Sequence, residues 1–241
     1  MAPPSRVRRG LLAALLAAAA ALFVVLGVWQ VERRVWKLDL IAALDRRIHA
    51  APRPAPGPSA WPAFSADTEI YTRVQVFGTF LNNREAQVQA VTELGPGFWL
   101  LVPLRTDEGW TVLVNRGFVP SERAAEPRSP DAPASGVTVT GLLRAPEIGG
   151  AFLRSNDPAA DRWFSRDVPA IAAARGLGPV APYFIDADAT PNPATYPVGG
   201  LTVVAFRNTH LVYALTWFGL AALCLGGLWI LGTGRAEEER A

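Results

Sequence analysis

The sequence predicts a membrane protein in which two transmembrane α-helices, one near each end, flank a mainly β domain, barrel- or sandwich-like, with one short helix. Three observations predict it. Leu11 to Trp29 is apolar and free of charge, as is Leu211 to Leu231. Each run, at about 1.5 Å per residue, spans roughly 30 Å as a helix, the thickness of a bilayer's hydrocarbon core. Between them the hydrophobic period falls mostly to two, the period of half-buried strands.

The first run follows a basic leader, Arg6, Arg8 and Arg9, and so invites comparison with a signal peptide. Its apolar stretch is longer than a signal core, and Trp29-Gln30-Val31-Glu32-Arg33 offers no small-x-small cleavage site, so it reads as an uncleaved anchor. Past Trp29 the helical spacing of Leu38, Ile41, Leu44 and Ile48 carries the helix on as a stalk, and the alternating prolines from Pro52 to Pro58 stop it. The resulting map is a tail over 1–10, a span over 11–30, a stalk helix over 31–51 and a Pro-rich linker over 52–60. A β-rich domain over 61–208, a second span over 209–232 and a tail over 233–241 complete it. Arg6, Arg8, Arg9, Arg235 and Arg240 in the tails are balanced by Arg33, Arg34, Lys37, Arg46 and Arg47 after the first span, so charge counting favours neither orientation.

Within the domain, Ile70 to Phe77 alternates and is rich in β-formers, with Asn82-Asn83 as the turn into Glu85 to Val91. Phe98 to Leu104 and Trp110 to Val119 form a second pair joined by Asp107-Glu108-Gly109. Gly136 to Leu143, Tyr183 to Asp186 and Leu201 to Phe206 complete the strands. Asp167 to Arg175 reads as the one helix, capped by Asp167 and ended by Gly176.

Composition excludes several chemistries. A net charge of +2 with no basic aromatic platform argues against nucleic acid. Cys224, the only cysteine, lies within the second span, which rules out an internal disulfide and any Cys-based metal site in the domain. Met1 is the only methionine, so thioether copper ligation is absent too. No Gly-x-Ser-x-Gly elbow, Walker loop or His-Glu-x-x-His pair occurs. His49 reads as a solvated stalk residue, and Asp186 and Asp188 as loop-defining acids rather than an acid–base pair.

Two clusters at the membrane boundary are less ordinary. In the first, Gly27-x-Trp29-Gln30-x-x-Arg33-x-x-Trp36-Lys37, helical spacing puts Gln30, Arg33 and Lys37 on one face. An interfacial anchor with an aromatic belt and snorkelling cations accounts for it. In the second, Arg207-Asn208-Thr209-His210-Leu211-x-Tyr213-x-x-x-Trp217, His210, Tyr213 and Trp217 fall on one stripe. An imidazole there can ligate haem iron between flanking rings, or simply start a helix beside two interface anchors.

Those residues resemble the Surfeit locus protein 1 family over almost the whole chain. Gly27-x-Trp29-Gln30-x-x-Arg33-x-x-x-Lys37 is similar to its opening signature, and Val114-Asn115-Arg116-Gly117-Phe118-Val119-Pro120 to its central one. Pro197-Val198-Gly199-Gly200, then Arg207-Asn208-x-His210-Leu211-x-Tyr213-x-x-x-Trp217, is similar to its closing one. The resemblance implies a non-enzymatic assembly factor for haem–copper terminal oxidase, particularly cytochrome c oxidase, in a bacterial inner membrane with the main domain periplasmic. It implies haem a as a transient cargo, His210 as the axial ligand, and the oxidase's catalytic subunit as partner, with haem a synthase and membrane lipid beside it. Tyr213 and Trp217 would flank the ring, and Arg33, Arg207 or Lys37 would neutralise its propionates. The central Asn115-Arg116-Gly117 is expected to fix a strand end, with Gly117 needed for backbone geometry and Arg116 facing a partner. A scaffold that stabilises an oxidase intermediate without touching haem is the other reading.

Overall fold

The computed structural model describes residues 6–126, 136–151, 153–189, 196–201 and 208–238. The chain divides into two compact units, one comprising 1–43 and 205–241 and the other 44–204.

The first unit is a helix pair. Helix α1, Arg6–Ile48, runs without a break through the residues read as span and stalk. The second long helix, His210–Glu238, is the last of four α-helices among the described residues. Both are long and apolar enough to cross a membrane, and in each the most apolar window is only 11% buried. Apolar helices left this bare in water would expose far more than a soluble protein tolerates; hydrocarbon is the solvent that suits them.

The second unit is a β barrel with additions. Its strands are β1 (Arg53–Pro54), β2 (Arg73–Phe80), β3 (Ala86–Thr92), β4 (Gly95–Thr106), β5 (Thr111–Pro120), β6 (Val137–Arg144), β7 (Gly150–Ala151), β8 (Arg154–Ser155) and β9 (Val180–Ala187). The main sheet has the order β1-β2-β6-β9-β5-β4-β3, and a further β2–β4 pairing closes β2, β6, β9, β5 and β4 into a five-stranded barrel. Helix α2 (Ala66–Glu69) precedes β2, helix α3 (Val168–Ala174) precedes β9, and the long helix from His210 is α4.

Side-chain alternation builds two apolar layers. Val74, Val76, Leu104, Val112, Val114, Val139, Leu143, Tyr183 and Ile185 come from all five barrel strands and fill its interior. Their neighbours Leu101, Leu113 and Phe184 face outward onto Trp163 and onto Val168 and Ile171 of α3. Strands β5 and β9 are therefore covered on both faces, which is why Trp110 to Val119 is nearly continuous in apolar residues. Asp167 caps α3, its carboxylate accepting from the Ala170 amide at 3.1 Å, and Gly176 follows with φ +58°.

Several sequence expectations need revision. Asn82-Asn83 does not close a hairpin: Asn82–Arg84 forms a 3₁₀ turn, and β2 and β3 each pair with β4 instead. Strand β4 is long enough to hold β3 along Gly95–Leu101 and β2 along Leu104–Thr106, so the turn carries the chain past the barrel's closure. The proline stretch is extended, but it is docked rather than free. Arg53 and Pro54 pair in parallel with Val74 and Gln75, and the Pro56 carbonyl accepts from Tyr183 Oη at 2.6 Å and Trp61 Nε1 at 2.9 Å. Of the strand expected over Leu201 to Phe206, Leu201 is irregular and 202–206 lie outside the described residues.

Candidate functional site

Two clusters hold the motif residues, one in each unit. In the helix pair, α1 and α4 run antiparallel: Leu16 meets Gly227, Gly27 meets Phe218, and Gln30 meets His210. Small residues make the approach possible. Ala20, Ala214 and Ala221 are buried in the seam, and a Cβ on Gly27 would stand 2.6 Å from the Phe218 ring. Beside it Phe23 and Trp217 stack with centroids 5.6 Å apart and planes 25° apart.

At the end of this seam His210 opens α4. Its Nδ1 lies 2.7 Å from Gln30 Oε1, within hydrogen-bond distance. The His210 backbone N–H reaches Asn208 Oδ1 at 3.4 Å, and Asn208 Nδ2 is buried with no acceptor among the described residues. No hydrogen bond to His210 Nε2 is present among the described residues. Of the stripe read from the sequence, His210 and Trp217 face α1, while Tyr213 is largely exposed. Lys37 is half-buried on the Gln30 side of α1, whereas Arg33 lies exposed over the Trp36 ring at 3.8 Å. Trp29 and Trp36 are half-exposed, as interfacial rings would be. Arg207 lies outside the described residues.

The second cluster sits where β5 leaves the barrel. Buried Asn115 donates from Nδ2 to Asp186 Oδ1 at 2.9 Å and accepts the Gly117 amide on its own Oδ1 at 3.1 Å. Gly117 has φ +132°, and a Cβ there would collide with the Val198 carbonyl. Phe118 and Val198 exchange two backbone hydrogen bonds of 2.9 Å, which lays Pro197-Val198-Gly199-Gly200 against the strand. Gly199 and Gly200 continue past the backbone of Asp188 and Ala189. The central signature and the first half of the closing one are thus one piece of structure. Half-buried Arg116 lies over the Phe80 ring at 4.8 Å.

Asp186, read as a loop acid, is the hub of a buried polar network that sequence reasoning missed. Its Oδ2 accepts from Arg144 at 2.7 Å and its Oδ1 lies 3.4 Å from Arg166, which also pairs with Glu147. Burial pushes the Glu147 carboxyl up, but the hydrogen bond and charge of Arg166 outweigh it and hold the group below its ordinary 4.5. Asp188 pairs with Arg73 at 2.6 Å. The signal for this network was faint: each partner is an isolated charge at the end of an apolar strand or in a loop. His49 sits in the turn after α1, mostly exposed, with Nδ1 2.9 Å from the Asp45 carbonyl. Among the described residues no three His, Cys, Asp or Glu side chains converge as a metal cluster would require.

The Gln30–His210 contact and the Asn115–Gly117–Val198 junction both fall within the stretch matched by a model of the SURF1 family, residues 17–222. The chain belongs to the SURF1 family. It is 36% identical over 214 residues to Surfeit locus protein 1 of Rattus norvegicus, covering 82% of this chain and 68% of that one. The Homo sapiens protein of the same name is 37% identical over 215 residues, with 82% and 69% covered. A SURF1-like protein of Monosiga brevicollis is 36% identical over 220 residues, with 85% and 81% covered. In SURF1 family terms, the three signatures divide by unit. Gln30 and His210 meet in the helix pair, and Phe118 and Val198 meet in the barrel unit.

Proposed function

We propose that this chain is a non-enzymatic assembly factor for haem–copper terminal oxidase, cytochrome c oxidase in particular. It takes up haem a at the outer face of a bacterial inner membrane and passes it to the oxidase's catalytic subunit, with both tails cytoplasmic and the barrel periplasmic. The observation that carries the reading is His210, an imidazole at the end of an apolar helix with one nitrogen engaged and the other unbonded among the described residues.

The donor set suits the cargo. A neutral imidazole with a free Nε2 is an axial ligand for haem iron, and a single exchangeable ligand suits a carrier that must release what it holds. Asn208 Nδ2, buried without an acceptor among the described residues, is placed next to His210 in sequence and suits a carboxylate such as a propionate. Lys37 is a half-buried cation on the Gln30 side of α1, and Arg33 would have to leave the Trp36 ring to join it. The apolar surface of α1 and α4 suits a hydrophobic ring and tail.

The scaffold reading draws on a different observation. Asn115, Gly117, Gly199 and Gly200 are engaged in building the barrel's end, so part of the family signature serves structure rather than a ligand. Deletion and complementation test the proposal. In cells lacking this chain, oxidase activity and the haem a content of the catalytic subunit fall together, and the full chain restores both. Full oxidase activity without the chain would overturn it, and restoration by a His210→Ala chain would favour the scaffold.

A further inference from the structure

We propose that Gln30 is the positioning residue for His210: its amide oxygen fixes the imidazole as the Nδ1–H tautomer and turns Nε2 into the ligating atom. The proposal rests on the haem reading above and names the group that makes the site competent.

The geometry has three parts. Gln30 and His210 lie 180 residues apart in the chain, yet Oε1 and Nδ1 are 2.7 Å apart across the α1–α4 seam. A carboxamide oxygen accepts and cannot donate, so a 2.7 Å contact requires the proton on Nδ1. With that proton fixed, the lone pair of a neutral ring is on Nε2. A ligating histidine whose other N–H is held by an oxygen is oriented, and more basic toward the metal.

The surrounding packing is consistent with a fixed rather than a fluctuating contact. Gly27, one turn before Gln30, allows the Phe218 ring within van der Waals range, and Phe23 and Trp217 stack two turns away. A glutamine within an apolar seam is costly unless bonded, and a leucine would pack there without that cost. A simple interhelical hydrogen bond contributes little to helix association, so holding the helices together is a weak reason for its presence.

The test uses the full chain in lipid nanodiscs. The chain contains two histidines, so a His49→Gln background leaves His210 as the only imidazole. ¹⁵N NMR of the haem-free protein, with the ring neutral, should show Nδ1 protonated, and Gln30→Leu should abolish that preference. Titration with haem a should then give about 10- to 100-fold weaker binding in Gln30→Leu. Gln30→Glu, which keeps an acceptor and strengthens it, should restore binding and move the haem midpoint potential to more negative values. A purely structural contact would not produce that shift. An Nε2–H tautomer in the parent, or parent-like haem affinity in Gln30→Leu while His210→Ala loses it, would overturn this inference alone. Parent-like haem binding in His210→Ala would overturn the haem reading, and this inference with it.

Discussion

Asp186 accepts from three side chains, Asn115, Arg144 and Arg166, and is almost wholly buried, so its carboxylate is the residue on which the barrel's end depends. Removing one partner of a buried pair strands the others, which typically costs about 3–5 kcal/mol. Asp186→Ala should therefore lower stability by that order in denaturant unfolding of the full chain, while Asp188→Ala, at a half-exposed pair, should lower it by less than about 1 kcal/mol. Equal losses in the two variants would contradict the hub. The sequence carried Gly117's need for special geometry, since a glycine after Asn-Arg in an apolar strand has few other reasons to be there. It did not carry Asp186's partners. Arg144 and Arg166 are separated from it by 42 and 20 residues, and only the fold brings their charges together.

At the scale of elements, the helix seam is specified by size rather than polarity. Ala20, Gly27, Ala214 and Ala221 let two helices approach that have no hydrophobic drive to associate in lipid. Gly27→Ile should push Phe218 away, separating Gln30 from His210. Cross-linking between cysteines at Leu16 and Gly227, in a Cys224→Ser background, should fall sharply in that variant. Undiminished cross-linking would show that the seam does not depend on Gly27. Both helices, the six longer strands and α3 were legible, because periodicity and apolar run length report burial directly. Pairing was not. The Asn82-Asn83 turn looked like a hairpin because turn chemistry is local, whereas β2's choice of β4 is set by closing the barrel. The docking of Arg53 and Pro54 was hidden for a similar reason, since alternating prolines report extension and not what lies alongside. At the candidate site, helical spacing placed His210 and Trp217 on one stripe, but the Gln30 contact is a tertiary fact. Tyr213 points elsewhere because a spacing of three sits at the edge of such a stripe.

For the whole molecule, the barrel's acid tolerance follows from the same network. The Glu147 pKa is lower folded than unfolded, so its contribution to stability is complete above about 4.5 and is lost as pH falls below that through the folded value. Glu147→Gln should lower the unfolding midpoint at neutral pH, where the parent's Glu147 contribution is complete, and flatten its fall in this acid range, so that parent and variant converge as pH drops; an unaltered acid limb would remove Glu147 from the account. The cargo chemistry proposed for the chain belongs to the helix pair, whereas Asn115, Gly117, Gly199 and Gly200 build the barrel's end. That division turns on His210. The most direct measurement is the visible spectrum of the full chain purified from cells that make haem a, beside His210→Ala prepared in the same way. The parent should carry a haem a Soret band that is lost or shifted in His210→Ala, with both proteins equally abundant in the membrane. An identical Soret band in the two, or none in the parent, would contradict haem delivery through His210.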